Sequence, residues 1–224
     1  MPYILVTENM DIVEEKTVSD ILNILESFKG TCACGRIHTT TIRDIQIGPG
    51  LVHSTSAILK KNGFRGRLLI IADQNTWKAA HGIQESLTEF ETEYQVFNNV
   101  RVATMEHVTD IEELIRGRDI SILSVGTGSI NDICRLAAAR QNKKLCIFAT
   151  APSMDGFASY SSPIVKVGFK SSYPAKSPEV NIGDTRILSA APQELKSAGC
   201  GDMIAKYVAL MDWKISALLT DEHY

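Results

Sequence analysis

Between residues 42 and 149 the chain repeats one pattern: a short apolar run, a glycine or polar break, then an amphipathic stretch. Runs at 42–47, 67–72, 94–97, 120–125 and 145–149 read as strands, and the stretches at 52–61, 75–90, 108–116 and 129–140 as helices. A helix between two strands brings them together in parallel, and the helices then cover the sheet faces. The expected fold is therefore α/β, with a doubly wound, mostly parallel, Rossmann-like sheet in the N-terminal domain. After residue 161 the texture changes. Runs at 164–169 and 179–182 read as short strands, paired as an edge hairpin across 171–178. From Pro192 onward the pattern is only helical. A helix over 202–219 would carry Ile204, Val208, Met211, Ile215 and Leu218 on one face, after a hinge at Gly199-Cys200-Gly201. The chain thus reads as three segments: a helical extension over 1–40, built on the apolar spacing from Ile12 to Phe28; an α/β domain over 41–197; and, over 198–224, the first helix of an all-helical second domain.

Composition excludes several classes. A net charge of −3 leaves no basic surface for nucleic acid. No apolar run approaches the roughly 20 residues that cross a bilayer. The N-terminal Met1-Pro2-Tyr3-Ile4-Leu5-Val6 lacks a basic region before its apolar run, so no signal peptide is expected. The five cysteines are scattered, with Cys134 and Cys146 inside apolar segments as packing residues, which points to a reduced, cytoplasmic protein. Cys32, Cys34 and His38 form C-x-C-x-x-x-H, but a structural zinc site takes four ligands and a wider C-x-x-C spacing. His53, His81, His107 and His223 have no partner at metal-ligand spacing.

Four segments carry chemistry. Thr150-Ala151-Pro152-Ser153-Met154-Asp155-Gly156-Phe157-Ala158-Ser159 follows a buried strand and packs hydroxyls, a proline, a carboxylate and a glycine where an open α/β sheet places its ligand. Gly126-Thr127-Gly128-Ser129-Ile130-Asn131-Asp132 joins a strand to a helix. Its glycines and free helix-start N–H groups suit a phosphate, although Asn131 stands where the six-residue dinucleotide fingerprint needs glycine or alanine. The plain alternative is a tight turn with Ser129 as N-cap. Asp73 ends a strand, where a carboxylate can meet an adenosine ribose or serve as an ordinary helix cap. Asp202, read as opening the last helix with Lys206 one turn on, is a metal-ligand candidate or, again, a cap.

Taken in order, Ala72 to Thr76, Gly126 to Asp132, Thr150 to Ser159, and Ala198-Gly199-Cys200-Gly201-Asp202-Met203-Ile204-Ala205-Lys206 through Met211-Asp212-Trp213 resemble the sn-glycerol-1-phosphate dehydrogenases, in particular their bacterial branch. These belong to the wider dehydroquinate synthase-like and iron-type alcohol dehydrogenase group. The resemblance spans about residues 40–224. It implies that Asp73 contacts the adenosine part of NAD or NADP, that Gly126, Thr127, Gly128, Ser129 and Ile130 hold its pyrophosphate, and that Thr150, Ala151, Pro152, Ser153 and Ser159 line the nicotinamide end. Asp155 would touch substrate. Asp202 would lie beside it as a ligand to zinc or nickel. The implied reaction is metal-assisted hydride transfer between NAD(P)H and dihydroxyacetone phosphate, giving sn-glycerol 1-phosphate for phospholipid biosynthesis. Relatives take two further metal ligands from histidines well downstream, so this chain reads as an incomplete, inactive form. The partners implied are a phosphorylated triose and a second copy in a homodimer. The alternatives are a dehydroquinate synthase, a glycerol dehydrogenase, a non-catalytic NAD(P)-binding module, or a partner-binding domain using the last helix.

Overall fold

The computed structural model describes residues 39–220 and, within the N-terminal forty, Asn23, which is helical. The chain divides into Met1–Thr40 and Thr41–Tyr224. Every strand among the described residues belongs to the second unit. The rest of the helix expected over 11–29, the Cys32, Cys34 and His38 group, and His223 lie outside the described residues.

The elements run β1 (Asp44–Gly48), a 3-10 turn (Leu51–Ser54), α1 (Thr55–Lys61), β2 (Arg67–Asp73), α2 (Gln74–Ala79), α3 (Ile83–Ser86), β3 (Glu91–Phe97) and α4 (Met105–Ile115). Next come β4 (Ile120–Gly126), α5 (Gly128–Arg140), β5 (Leu145–Ala149), a 3-10 turn (Gly156–Ala158), β6 (Ser161–Lys166), β7 (Phe169–Pro174), β8 (Val180–Asp184), α6 (Thr185–Ala190) and α7 (Gln193–Leu219). Six strands form one parallel sheet in the order β1-β8-β5-β4-β2-β3.

The inner strands are apolar on both sides because both faces are covered. On one face Leu69, Ile71, Ile122 and Ile147 pack under Val108, Ile111 and Ile115 of α4 and Ile133 and Ala137 of α5. On the other, Leu68, Ile70, Leu123 and Phe148 pack under Leu59, Phe64, Ile83 and Leu87. Each such side chain contributes about 1.5–3 kcal/mol by leaving water. The edge strand β3 instead alternates exposed and half-buried residues, and its Glu91 and Glu93 pair with Arg67 and Arg118. Charges of this kind protect an open edge from further pairing.

Three expectations are corrected. The helix over 75–90 is two short helices, because Gly82 takes φ 93° between them, in the left-handed region that favours glycine. The hairpin pairs β6 with β7. The run assigned as its second strand is β8, a parallel strand between β5 and β1. Finally, Gly199-Cys200-Gly201 is not a hinge and Asp202 opens no helix: α7 is continuous from Gln193 to Leu219. No helix among the described residues is long and apolar enough to cross a membrane.

Gly199 has a steric reason to be glycine. A Cβ there would overlap the Pro152 carbonyl oxygen and lie 2.9 Å from its carbon, so the backbones of α7 and the 150–159 loop meet directly. Gly201, two residues on, faces open space. Gly199→Ala should cost about 1–3 kcal/mol by overpacking, lowering the thermal midpoint by roughly 3–10 °C. Gly201→Ala should leave the midpoint unchanged or raise it, since alanine favours a helix by about 1 kcal/mol. Equal effects in thermal unfolding would show that the helix does not rest on the loop.

Candidate active site

Strands β2 and β4 are neighbours, yet the chain leaves them for opposite faces of the sheet: α2 and α3 on one side, α5 on the other. Their carboxyl ends therefore diverge, and such a crevice is where open α/β sheets bind ligands. A cavity of about 760 Å³ occupies this place. Asn75, Thr76, Lys78 and Ala79 line it after β2, Thr127 after β4, and Thr150 and Ala151 after β5. Ile187 and Ala190 of α6, Ala191 and Pro192 of the link, and Leu195 of α7 line its remaining wall.

The glycine turn reaches this crevice in a specific way. Gly126 must lack a side chain, since a Cβ would stand 2.7 Å from Ile130 Cβ. That contact draws the start of α5 close against the end of β4. Gly128 faces open space. Thr127, not Ser129, is the N-cap residue, in extended conformation and with no side-chain cap bond. The Ser129 hydroxyl instead donates to the Arg101 carbonyl at 3.1 Å. Among the described residues no side chain thus caps the first turn of α5, whose N–H groups and dipole favour an anion.

The loop after β5 is tied to that turn. The Thr150 N–H donates to the Gly126 carbonyl at 3.1 Å, and the hydroxyls of Thr127 and Ser153 share a hydrogen bond. Pro152 lies under Gly199 and also lines a second, apolar cavity of about 250 Å³ beside β1 and β8. The Ser159 hydroxyl donates to the Ser161 carbonyl at 3.0 Å, closing the loop onto β6.

Asp155 and Asp202 come together, as a pair bridged by a lysine. Asp202 Oδ2 accepts the Asp155 N–H at 2.8 Å. Lys206 Nζ lies 2.7 Å from Asp155 Oδ2 and 3.4 Å from Asp202 Oδ1. The Asp155 amide, followed by Lys206, holds the Asp202 carboxyl below its ordinary range, and bonding to the two carboxylates raises Lys206. Among the described residues no group of three or more His, Cys, Asp or Glu is gathered for a metal ion. Asp202 offers one ligand, which does not make a metal site.

Asp73 is 5% exposed. Its Oδ1 accepts the N–H groups of Asn75 and Thr76 at 3.0 and 2.9 Å, and its Oδ2 accepts the Val100 N–H at 3.2 Å. The Thr76 hydroxyl accepts the Asp73 N–H at 3.0 Å, completing a capping box. Asp73 therefore braces the wall that Asn75 and Thr76 present to the cavity.

Arg135 is the residue that sequence reasoning missed. Its side chain is fully buried. Nη1 pairs with Asp132 Oδ1 at 2.6 Å and reaches the Ser161 carbonyl at 3.3 Å. Nη2 donates to the carbonyls of Gly156 and Phe157 at 2.7 and 3.4 Å. The available signal was a charge on the apolar face of a helix, three residues after a carboxylate.

The family model described as iron-containing alcohol dehydrogenase matches residues 46–192. The glycerol-1-phosphate dehydrogenase [NAD(P)+] of Bacillus licheniformis is 32% identical over 216 residues, covering 92% of this chain and 53% of that protein. The enzyme of the same name from Methanothermobacter thermautotrophicus is 32% identical over 184 residues, covering 81% and 52%. The chain thus spans about half the length of the curated relatives it matches. The solved glycerol dehydrogenase of Schizosaccharomyces pombe superposes with a TM-score of 0.67 at 23% identity, over 75% of this chain and 44% of that one, which supports the fold.

Asp132 supplies a measurable pH dependence. Burial raises its carboxyl from the ordinary 3.8 to about 6, against the opposing pull of Arg135. The folded state then binds a proton more readily than the unfolded chain between these values. The contribution of this group to stability is greatest below about pH 4 and falls as pH rises through 6. Asp132→Asn should remove that fall from the profile of thermal midpoint against pH, whatever its effect on the absolute midpoint. A variant profile parallel to the parent's from pH 4 to 6.5 would show that Asp132 does not titrate there.

Proposed function

We propose that this chain, which belongs to the iron-containing alcohol dehydrogenase family, supplies the dinucleotide-binding side of an oxidoreductase that moves hydride between NAD(P)H and dihydroxyacetone phosphate, giving sn-glycerol 1-phosphate. The cavity at the divergence of β2 and β4 is the observation that carries this reading. It gathers Thr127, Thr150 and Ala151, all given to a dinucleotide by the resemblance, beside a helix start with no side-chain cap. The similarity to glycerol-1-phosphate dehydrogenases supports the choice of substrate.

A bound dinucleotide would supply the hydride carrier, a nicotinamide. The chain's own residues would bind and orient. The free N–H groups at Gly128, Ser129 and Ile130 would meet the pyrophosphate, and Gly126 would permit its close approach. The Thr127–Ser153 hydrogen bond would fix the 150–159 loop relative to that turn, so that cofactor and substrate share one frame. Asp155, held by Lys206, would accept a substrate hydroxyl; Lys206 would also moderate the field of two adjacent carboxylates at a phosphorylated substrate. A divalent ion, zinc or nickel, would supply polarisation of the ketone. Asp202 would give that ion one ligand, and its other ligands would come from outside the described residues.

The absence of a gathered metal-donor set among the described residues favours a second reading of this 224-residue chain, as a module that binds NAD(P) without turning substrate over. Two measurements separate the cases. Calorimetric or fluorescence titration should show that the chain binds NADH or NADPH; binding of neither would remove the cofactor reading altogether. In a dihydroxyacetone phosphate reduction assay with added zinc or nickel, the chain alone should show negligible turnover. Robust metal-dependent activity would instead mean that it carries all the metal ligands it needs.

A further inference from the structure

The sequence leaves open whether a dinucleotide here carries the adenosine 2′-phosphate, and the cavity's lining bears on that choice. Resting on the dinucleotide reading above, we infer that Lys78 selects for the 2′-phosphate, so that the chain binds NADP(H) more tightly than NAD(H).

Direction comes first. If the pyrophosphate sits at the start of α5 and the nicotinamide lies toward the 150–159 loop, the adenosine falls at the opposite end, against α2. Asn75, Thr76, Lys78 and Ala79 line the cavity there. A carboxylate near the end of the second strand of a dinucleotide fold takes the ribose 2′-hydroxyl and repels a phosphate in its place. Asp73 ends β2 in this chain, but it is not free for that task. Both its oxygens accept backbone N–H groups, three in all, and 5% exposure keeps it behind the capping box. The Thr76 hydroxyl is engaged with the Asp73 backbone as well.

Charge decides the rest. Among the described residues no aspartate or glutamate lines the cavity, and Lys78 is the single charged one that does. It makes no ion pair or hydrogen bond with another described residue, unlike Lys60, Lys61, Lys176 and Lys206, which are paired with carboxylates. An exposed ammonium with no ion pair to break can meet a phosphate dianion by turning about its flexible stem. NAD(H) offers it only hydroxyls in that place.

The test is equilibrium titration of the 224-residue chain with NADPH and with NADH, repeated for Lys78→Met and Lys78→Arg. The parent should bind NADPH about five- to tenfold more tightly than NADH, the range for one charge-assisted contact at an exposed site. That ratio should shrink as salt is raised. Lys78→Met should bring the two affinities together by weakening NADPH alone, and Lys78→Arg should keep the preference. Lys78 is exposed, so circular dichroism should show both variants folded. A parent that binds NADH as well as or better than NADPH would overturn the inference, as would a Lys78→Met variant that keeps the preference or weakens both cofactors equally. In each of these results the chain still binds a dinucleotide, so the broader reading survives. Binding of neither cofactor would end both.

Discussion

A guanidinium buried away from water is costly unless its charge and its N–H groups are met. Arg135 meets most of that demand by organising what lies near it: Nη1 and Nη2 are both engaged, and Nε is left without a hydrogen-bond partner among the described residues. It takes its counter-charge from Asp132, one helical turn earlier, and spends its remaining reach on three carbonyls at Gly156, Phe157 and Ser161. Those carbonyls belong to a segment with little regular structure of its own, only the turn Gly156–Ala158 and the start of β6. α5 thereby does two things at once. Its N-cap residue, Thr127, lines the crevice, and a residue two turns along holds the loop that borders it. Removing such a buried charge from one side only would strand the other at a cost of about 3–5 kcal/mol, so the pair and the loop stand together.

The crevice itself arises from chain routing. β2 and β4 are hydrogen-bonded neighbours whose following segments depart to opposite faces. Among the described residues, the loop after β5 and the helices α6 and α7 with their link close the gap between them at the carboxyl edge. Two glycines without conformational necessity, Gly126 and Gly199, make that edge tight. One lets α5 approach β4, and the other lets α7 rest on the loop. The second contact also places Asp202 and Lys206 where Asp155 can reach them. A helix that began at Asp202 would carry these side chains but would lack the nine preceding residues that seat it.

Much of the site was legible because its signals are local. Strand 120–126 followed by Gly126-Thr127-Gly128 announces a turn into a helix, and the structure has one. The 150–159 loop announces itself by its hydroxyls, carboxylate, proline and glycine after five buried residues. Other parts were misread for a common reason. Val180–Asp184 is apolar enough for any strand, and its partners, β1 and β5, are remote in sequence. Pairing it with its nearest upstream strand was the local guess, but burial on both faces required a central place. Gly199-Cys200-Gly201 has the composition of a break, yet helix 193–219 runs through it, and at Gly199 the missing side chain is what lets the helix backbone meet Pro152, against glycine's helix penalty of about 1 kcal/mol. Asp73 has the position of a ligand residue, and only its hydrogen bonds reveal that its oxygens are already taken.

Sequence alone determined the parallel α/β class, the alternation of strands and helical stretches from β1 to β5, and the segments after β4 and β5 that border the crevice, since apolar periodicity and turn residues act over a few neighbouring positions. The tertiary structure decided the sheet order, the bracing of the loop by Arg135, the bridging of Asp155 and Asp202 by Lys206, and the exclusion of Asp73 from the cavity. Each of these depends on groups far apart in the chain competing for the same hydrogen bonds or the same space, and that competition is settled only when the chain is packed.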